Sequence, residues 1–140
     1  MADYTLYVIV RNDISSMNSG KSEAHSGHAA SKFVLDSMKN SVNKSEMYEW
    51  AEEGGGFGTQ INLDGSLEDI LSIENYLEDV EYESFVKELQ TGKVVDPTYP
   101  YYDKVACEMA TRKELTAFYI FGRSDNEYLK KCIGHLALKP

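Results

Sequence analysis

The sequence predicts an α/β fold in which helices cover both faces of a β-sheet. Apolar, β-branched segments typical of buried strands alternate with segments whose apolar residues recur at helical spacing. The chain has 140 residues, of which 42% are hydrophobic and 26% are charged. This composition is typical of a soluble globular protein, and the length predicts one domain spanning residues 1–140.

The N-terminal half is predicted to contain two strands and two helices. Residues 4–10 (YTLYVIV) are β-branched and aromatic almost throughout, which indicates a buried strand. A polar loop separates this strand from a helix that begins near residue 19 or 20 and ends near residue 38. A weaker helix follows over residues 40–53, and a run of glycines ends it before a short strand at residues 59–63.

The C-terminal half opens with a helix signalled by residues 66–69 (SLED), a capping-box pattern that protects the first backbone groups of a helix. The helical pattern continues through residues 82–89. Residues 94–102 contain two prolines, which predicts an irregular segment. The remaining predicted elements are strands at residues 105–109 and 115–121 and a final helix at residues 125–133.

Negative charge is concentrated in the middle of the chain. Residues 45–103 hold 15 acidic and two basic side chains, and the whole chain has a net charge of −9. This balance excludes a protein that holds nucleic acid with its whole surface, since phosphate contacts need lysine and arginine. We predict an acidic helical insertion at roughly residues 66–103, which is either a solvated face or a contact for a basic partner.

The sequence lacks the features of secreted and membrane-spanning proteins. No apolar run reaches the roughly 18 residues that a bilayer span needs, and the first residues do not form a signal peptide. Two cysteines, Cys107 and Cys132, are too few for a disulfide framework. We therefore expect a cytoplasmic protein that does not bind membranes.

A candidate anion site lies after the first strand, at residues 19–22 (SGKS). These residues begin a predicted helix, where free backbone N–H groups and the helix dipole favour negative charge, and Lys21 adds a positive side chain. A nucleotide P-loop is an alternative interpretation. Its first glycine would have to stand at position 15, which is a serine.

Three side chains that could take part in catalysis or ligand binding share one face of this helix. Lys21, His25 and His28 lie at positions i, i+4 and i+7. An alternative role for His28 is that of a hydrogen-bonded structural histidine beneath the sheet. A zinc site would need His135 or Glu108 as well, and the two helical histidines lack the usual i, i+4 spacing. We predict no metal and no cofactor.

A carboxylate interrupts the strand predicted at residues 105–109. Glu108 either reaches solvent at the strand end or faces the Lys21 helix as a site carboxylate, with Thr111 and Arg112 close behind it. Its neighbour Cys107 has no catalytic motif around it. We interpret Cys107 as a small core residue of a buried strand rather than as a nucleophile.

Both ends of the chain resemble the type 2 peptidyl-tRNA hydrolases. Near the N-terminus the resemblance lies in residues 8–14 (VIVRNDI), 17–21 (MNSGK) and 25–30 (HSGHAA). Near the C-terminus, residues 129–138 (LKKCIGHLAL) are similar to the closing segment of that family. Two resembling segments that occur in the same order as in the family are more specific than either segment alone.

The resemblance implies a mixed four-stranded sheet sandwiched between helices, usually in a homodimer, and hydrolysis of the ester that joins a peptide to tRNA. By position, it implies roles in the reaction for Lys21, which stabilises charge, and for His25, Glu108, Thr111 and Thr116. It implies substrate binding by Ser19, Gly20, His28 and Arg112.

A second hypothesis keeps the fold but not the reaction. The Asp-Ala-Gly signature of the family is absent, and the middle segment is strongly acidic. These features favour a catalytically inactive relative that binds a nucleotide-like ligand or a protein partner. The sequence leaves both hypotheses open.

Overall fold

The computed structural model describes residues 3–14, 17–80 and 89–138. These ranges contain a four-stranded sheet flanked by helices, which confirms the predicted α/β class. The strands are β1 (Tyr4–Arg11), β2 (Gln60–Gly65), β3 (Gln90–Asp103) and β4 (Glu108–Arg123). The helices are α1 (Ser19–Ser37), α2 (Ser41–Glu53), α3 (Leu67–Asp79) and α4 (Glu127–Ile133).

The sheet is mixed, with the strand order β2-β1-β4-β3. The two strands β1 and β2 are parallel, and the α1–α2 pair forms the crossover that parallel neighbours require. Strand β4 runs antiparallel to both β1 and β3. This order places β4 in the interior of the sheet, next to the strand that leads into α1.

Both faces of the sheet are buried, because successive side chains of a strand point to opposite sides. Val8 and Val10 of β1 pack with Phe33 of α1 and Trp50 of α2 in one core. Ile9, between the two valines, packs in a second core on the face covered by α3 and α4. The nearly uninterrupted apolar run of β1 follows from burial on both sides.

Side-chain caps fix where the helices begin. Asn18 caps α1, and its side chain accepts a hydrogen bond of 3.0 Å from the backbone nitrogen of Lys21. Ser66 caps α3 and forms, with Asp69, the capping box predicted from the sequence. The Asn18 cap sets the rotation of the first turn of α1, and therefore the direction of the Lys21 face.

A buried arginine ties the end of β1 to β4. The Arg11 side chain is bonded to Asp13 through Nε at 2.8 Å and to Glu114 through Nη1 at 2.5 Å. Burial acts against the charged form of Arg11, but the hydrogen bonds to both carboxylates outweigh it and raise its pKa. Asp13 also accepts a bond from the backbone nitrogen of Leu67, at the start of α3.

Replacing Arg11 by methionine is expected to lower the free energy of unfolding by about 2 kcal/mol, since the mostly buried Glu114 keeps only its contact with the half-exposed Arg112. Denaturant unfolding measures the change. The control is Arg123→Met, which removes a half-exposed arginine and should cost much less. Equal losses in the two variants would contradict a structural role specific to Arg11.

The C-terminal strands differ from the prediction. Residues 94–102, expected to be irregular, lie within β3. Of the strand expected at residues 105–109, residues 105–107 form a turn and the last two residues begin β4, which also contains the strand expected at residues 115–121. Proline is compatible with β3 because this strand lies at the edge of the sheet. The pairing shifts register between Asp96 and Tyr99, where Pro97 lies.

Beyond the sheet, β3 and β4 extend as a two-stranded ribbon that we call the hairpin arm, residues 97–113. β1 pairs with β4 over Ala117 to Arg123, whereas the arm residues of β4 pair with β3. Cys107 lies in the turn at the tip, is exposed and has a φ of 55°. The prediction that Cys107 is a core residue of a buried strand was therefore wrong.

The acidic segment at residues 66–103 is helical in part. It contains α3 and also β3, which is a strand of the main sheet. The helical pattern predicted at residues 82–89 lies, except for its last residue, outside the described residues. None of the helices in the described ranges combines the length and the hydropathy that a bilayer span requires.

Candidate active site

The face of α1 predicted from the sequence meets β3 and β4. His25 is buried, Lys21 is half-buried, and His28 is exposed. The His28 ring lies edge-on to the His25 ring, with centroids 5.3 Å apart. His28 is therefore at the surface beside a buried imidazole, and not beneath the sheet.

Thr116 reaches this face because β4 contains a bulge. Ala117 and Leu115 of β4 pair with Val94 and Val95 of β3, so that Thr116 is an extra residue between two ladder positions. Ala117 packs in the core on the α1 side, and strict alternation would turn Thr116 to the opposite side. The bulge instead directs the Thr116 hydroxyl to α1.

His25 lies between two oxygen-bearing side chains. Its Nδ1 is 3.1 Å from Thr116 Oγ1, a hydrogen-bond distance between two buried groups. The Thr116 hydroxyl also lies 3.4 Å from the carbonyl oxygen of Val94, to which it can donate. On the other side of the ring, Nε2 is 4.0 Å from Asp96 Oδ2. That distance exceeds a direct hydrogen bond and leaves room for a bridging water.

Tyr99 closes the site on the side of the hairpin arm. The tyrosine is fully buried, and its ring centroid lies 5.8 Å from that of His25. Lys21 Nζ lies 5.6 Å from the centroid of the same ring, in a cation–π contact. We call Lys21, His25, Asp96, Tyr99 and Thr116 the histidine cluster.

The surroundings of His25 keep its imidazole neutral. Burial is the main cause that lowers its pKa below 6.5, and the nearby His28 and Lys21 lower it further. Asp96 acts in the opposite direction but does not reverse the shift. A neutral imidazole near neutral pH can accept a proton, which a general base has to do.

Two predicted site residues lie elsewhere. Glu108 is exposed at the far end of β4, eight residues from Thr116 and therefore about 26 Å away along the strand. Thr111 is exposed too, and it neighbours Arg112, which pairs with the buried Tyr99. Neighbouring strand residues point to opposite sides, so Thr111 faces away from His25. The structure does not bring these two residues to the cluster.

Arg112 lies on the hairpin arm, close to the cluster but not in it. Its guanidinium stacks 4.7 Å above the ring of Tyr101, and its Nε is 2.9 Å from Glu114 Oε2. The side chain is half-exposed. Arg112 and Tyr101 thus offer a cation and an aromatic ring to solvent next to the buried Tyr99.

Sequence reasoning missed Asp96 and Tyr99. The carboxylate that the structure brings to His25 is Asp96, not Glu108, and it follows Val94 and Val95 in β3. Two β-branched residues before a carboxylate are a signal for a strand that ends at a polar site. The prolines that follow led to the prediction of an irregular segment and concealed this signal.

A polar cleft of about 440 Å³ lies on the other side of α1. Ser19, predicted to bind substrate, lines it at the helix start, and Gly20 follows in the same turn. Among the residues that the structure describes, no three histidine, cysteine, aspartate or glutamate side chains form a group that could hold a metal ion. The histidine cluster is a candidate for acid–base chemistry because His25 is neutral and lies beside the Asp96 carboxylate.

Comparisons with known proteins identify the family. The family described as "Peptidyl-tRNA hydrolase PTH2" matches residues 4–91, more than half of the chain and the whole of α1. A solved structure of a protein of unknown function from Agrobacterium tumefaciens strain C58 is similar over all of both chains, with 11% identity and a TM-score of 0.49. No curated protein matches the chain. On the strength of the family match, the chain belongs to the type 2 peptidyl-tRNA hydrolase family.

Proposed function

We propose that this protein hydrolyses the ester bond between a peptidyl or aminoacyl group and tRNA by attack of water. The observation that supports this most directly is the position of His25, 3.1 Å from Thr116 Oγ1 and 4.0 Å from Asp96 Oδ2, one helical turn after Lys21. A buried, neutral imidazole beside a carboxylate can activate water, and a lysine can stabilise the oxyanion of ester hydrolysis.

In the proposed mechanism His25 takes a proton from the attacking water. Its Nδ1–H donates to Thr116, whose own hydrogen points to the carbonyl of Val94, so that Nε2 carries a lone pair. A water about 2.8 Å from both His25 Nε2 and Asp96 Oδ2 would fit beside the gap of 4.0 Å between them. Both hydrogens of that water are then held, and an oxygen lone pair faces the ester.

Lys21 stabilises the charge that develops on the ester. When water attacks, the carbonyl oxygen becomes an oxyanion, which a nearby ammonium and the N–H groups of a helix start stabilise. Lys21 lies in the first turn of α1 and is positioned above the Tyr99 ring. When the intermediate collapses, the proton on His25 passes to the leaving ribose oxygen.

The tRNA approaches from the side of α1 and the hairpin arm. We assign Ser19, Gly20 and His28, at or near the α1 surface, to contacts with the terminal nucleotide. The half-exposed pair of Arg112 and Tyr101 provides a positive charge and a ring on which an unpaired base can stack. The acidic side chains of α2 and α3 disfavour phosphate contacts at those two helices.

The assay that tests this function is the release of the acyl group from N-acetylphenylalanyl-tRNA at low salt. We expect each protein molecule to release many acyl groups, and we expect this release to require Lys21. Absence of release by the folded protein would contradict the proposal and favour the second hypothesis, a binding module with the fold of a hydrolase.

We also propose that the protein is a homodimer in the cytoplasm. Light scattering of the same preparation tests the homodimer, and cell fractionation tests the cytoplasmic location.

The pH dependence of the reaction follows from the state of His25. Because burial and then the charges of His28 and Lys21 lower its pKa, the neutral base persists below pH 6.5. The acid limb of the profile, in which kcat/KM falls as the pH is lowered, should therefore have its midpoint below pH 6.5. A profile of kcat/KM against pH measures this limb.

Two variants should move this acid limb in opposite directions. Asp96 raises the pKa of His25, so Asp96→Asn should shift the limb to lower pH, whereas Lys21 lowers it, so Lys21→Gln should shift the limb to higher pH. Titration of the His25 ring by NMR gives the same quantity without turnover. Shifts in the same direction, or no shift in either variant, would contradict the assignment of His25.

A further inference from the structure

An uncharged groove of about 830 Å³ lies between α1 and α2, apart from the polar cleft and the histidine cluster. None of the described residues that line it is charged, although charged residues make up 26% of the chain. Its lining includes four large hydrophobic side chains that are between 46% and 77% exposed: Leu35, Met38, Tyr48 and Phe57. Exposed apolar side chains gathered at one place are typical of a protein–protein interface.

Two opposite charges lie symmetrically beside the groove on α2. Lys44, Tyr48 and Glu52 are exposed and occupy positions i, i+4 and i+8, so they lie on one stripe of the helix. Lys44 and Glu52 are each about 6 Å from Tyr48 along the helix axis. When two copies of α2 pack antiparallel about a two-fold axis at Tyr48, Lys44 of one protomer lies opposite Glu52 of its partner, and the pair occurs twice. We call the groove together with Lys44 and Glu52 the α1–α2 face, which is complementary in charge to itself.

The other three glutamates of α2 lie near the start of β1. Glu46 and Glu49 interact electrostatically with Tyr4. Glu53 Oε1 accepts a hydrogen bond of 3.2 Å from the backbone nitrogen of the same tyrosine. The net charge of −9 makes two copies of the chain repel each other, but contact at the α1–α2 face brings no excess of like charge together.

The α1–α2 face leaves the histidine cluster open. Leu35 follows His28 by two turns of α1, which is about 10 Å along the helix axis. Neither Lys21 nor His25 lines the groove. A second copy that binds at this face therefore leaves both side chains accessible to substrate, and loss of this contact should leave acyl release intact.

We propose that the α1–α2 face binds the same face of a second copy of this chain, with the two α2 helices antiparallel. This inference rests on the homodimer proposed above and not on the hydrolase activity. Burial of Leu35, Met38 and Phe57 supplies most of the binding free energy, because apolar side chains at the centre of an interface leave water. The two pairs of Lys44 and Glu52 determine the orientation of the partner.

Charge reversal tests the two-fold arrangement. Sedimentation equilibrium at low salt measures the dimer dissociation constant of the wild type, Lys44→Glu, Glu52→Lys and the double variant Lys44→Glu/Glu52→Lys. Each single variant places like charges opposite each other at two symmetric positions, and we expect it to weaken the dimer roughly tenfold. The double variant places opposite charges at both positions again, so we expect it to recover the affinity of the wild type.

Substitutions in the groove test the apolar contacts. We expect Leu35→Ser and Phe57→Ser each to raise the dissociation constant roughly tenfold or more, because each removes an exposed apolar side chain from both protomers. Val105→Ser is the matched control, since Val105 is 97% exposed at the tip of the hairpin arm and outside this face, and it should leave the dimer unchanged.

The outcomes separate this inference from the hydrolase activity. A wild type that stays monomeric throughout the concentration range, a dimer that all the groove and charge variants retain, or a double charge variant as weak as the single variants overturns the inference. If the charge reversals behave as expected but no acyl group is released from tRNA, the hydrolase activity fails and the interface stands. Release by the wild type together with an unaffected dimer in all variants has the opposite meaning.

Discussion

Replacement of Lys21 by alanine is expected to lower kcat for acyl release from N-acetylphenylalanyl-tRNA by roughly 100- to 1,000-fold. The ammonium is in the first turn of α1 and is positioned by the Tyr99 ring, so its loss removes a charge that acts on the oxyanion. Single-turnover rates measure the chemical step directly. Lys21 is half-buried at the surface, and its removal should leave the unfolding midpoint nearly unchanged.

The matched control for this experiment is Lys44→Ala. Lys44 is exposed on α2, so the substitution changes the net charge equally but leaves the histidine cluster intact. We expect Lys44→Ala to retain nearly full activity. Equal losses in the two variants would indicate that net charge attracts the tRNA and that Lys21 has no particular role in the reaction.

Replacement of His25 by asparagine is expected to lower kcat/KM by roughly 100-fold or more, since it removes the general base. Asparagine keeps a polar group beside Thr116, which limits the structural damage at this buried position. His135→Asn is the control, because His135 is exposed and lies near Asp69 at the start of α3. Full activity of His25→Asn would exclude His25 as the base.

Thr116→Val separates positioning from catalysis. In the proposed mechanism the Thr116 hydroxyl holds the His25 tautomer. Its loss should therefore leave part of the neutral imidazole in the inactive tautomer and lower kcat, but less than His25→Asn does. Thr116→Ser retains the hydroxyl and should restore the rate. Failure of serine to restore it would mean that the threonine methyl group, and not the hydroxyl, is required.

Much of the fold was predictable from hydrophobic periodicity. The run of residues 4–10 identified β1, the apolar spacing identified α1, and Ser66 with Asp69 identified the start of α3. These signals are local, and local patterns determine helix caps and strand burial. The placement of Lys21 and His25 on one face of α1 follows from helical spacing alone.

The carboxylate of the site could not be predicted in this way. Asp96 and His25 are close in space but 71 residues apart in the chain. The pairing of β3 with β4 also shifts register on both sides of Asp96. A bulge changes which residues of a strand share a face, and the sequence pattern around Thr116 and Asp96 does not reveal it. The separation of Glu108 from His25 could not be predicted for a related reason, because the length of the hairpin arm was not apparent from two separate apolar runs.

The proposed hydrolase activity depends on an aligned set of groups on one side of α1. Asp96 and Thr116 are brought to His25 by irregularities in an otherwise regular pair of strands, where regular alternation would turn Thr116 away. Bulges of this kind frequently direct side chains into functional sites. Loss of either bulge should therefore reduce activity more than stability.

The most direct test compares the wild-type protein with the double variant Lys21→Ala/His25→Asn in the release of N-acetylphenylalanine from excess tRNA substrate at low salt. The proposed mechanism predicts many equivalents released per wild-type molecule, and release by the folded double variant at the rate of the protein-free solution. Equal release by the two proteins, or none by the wild type, would contradict it.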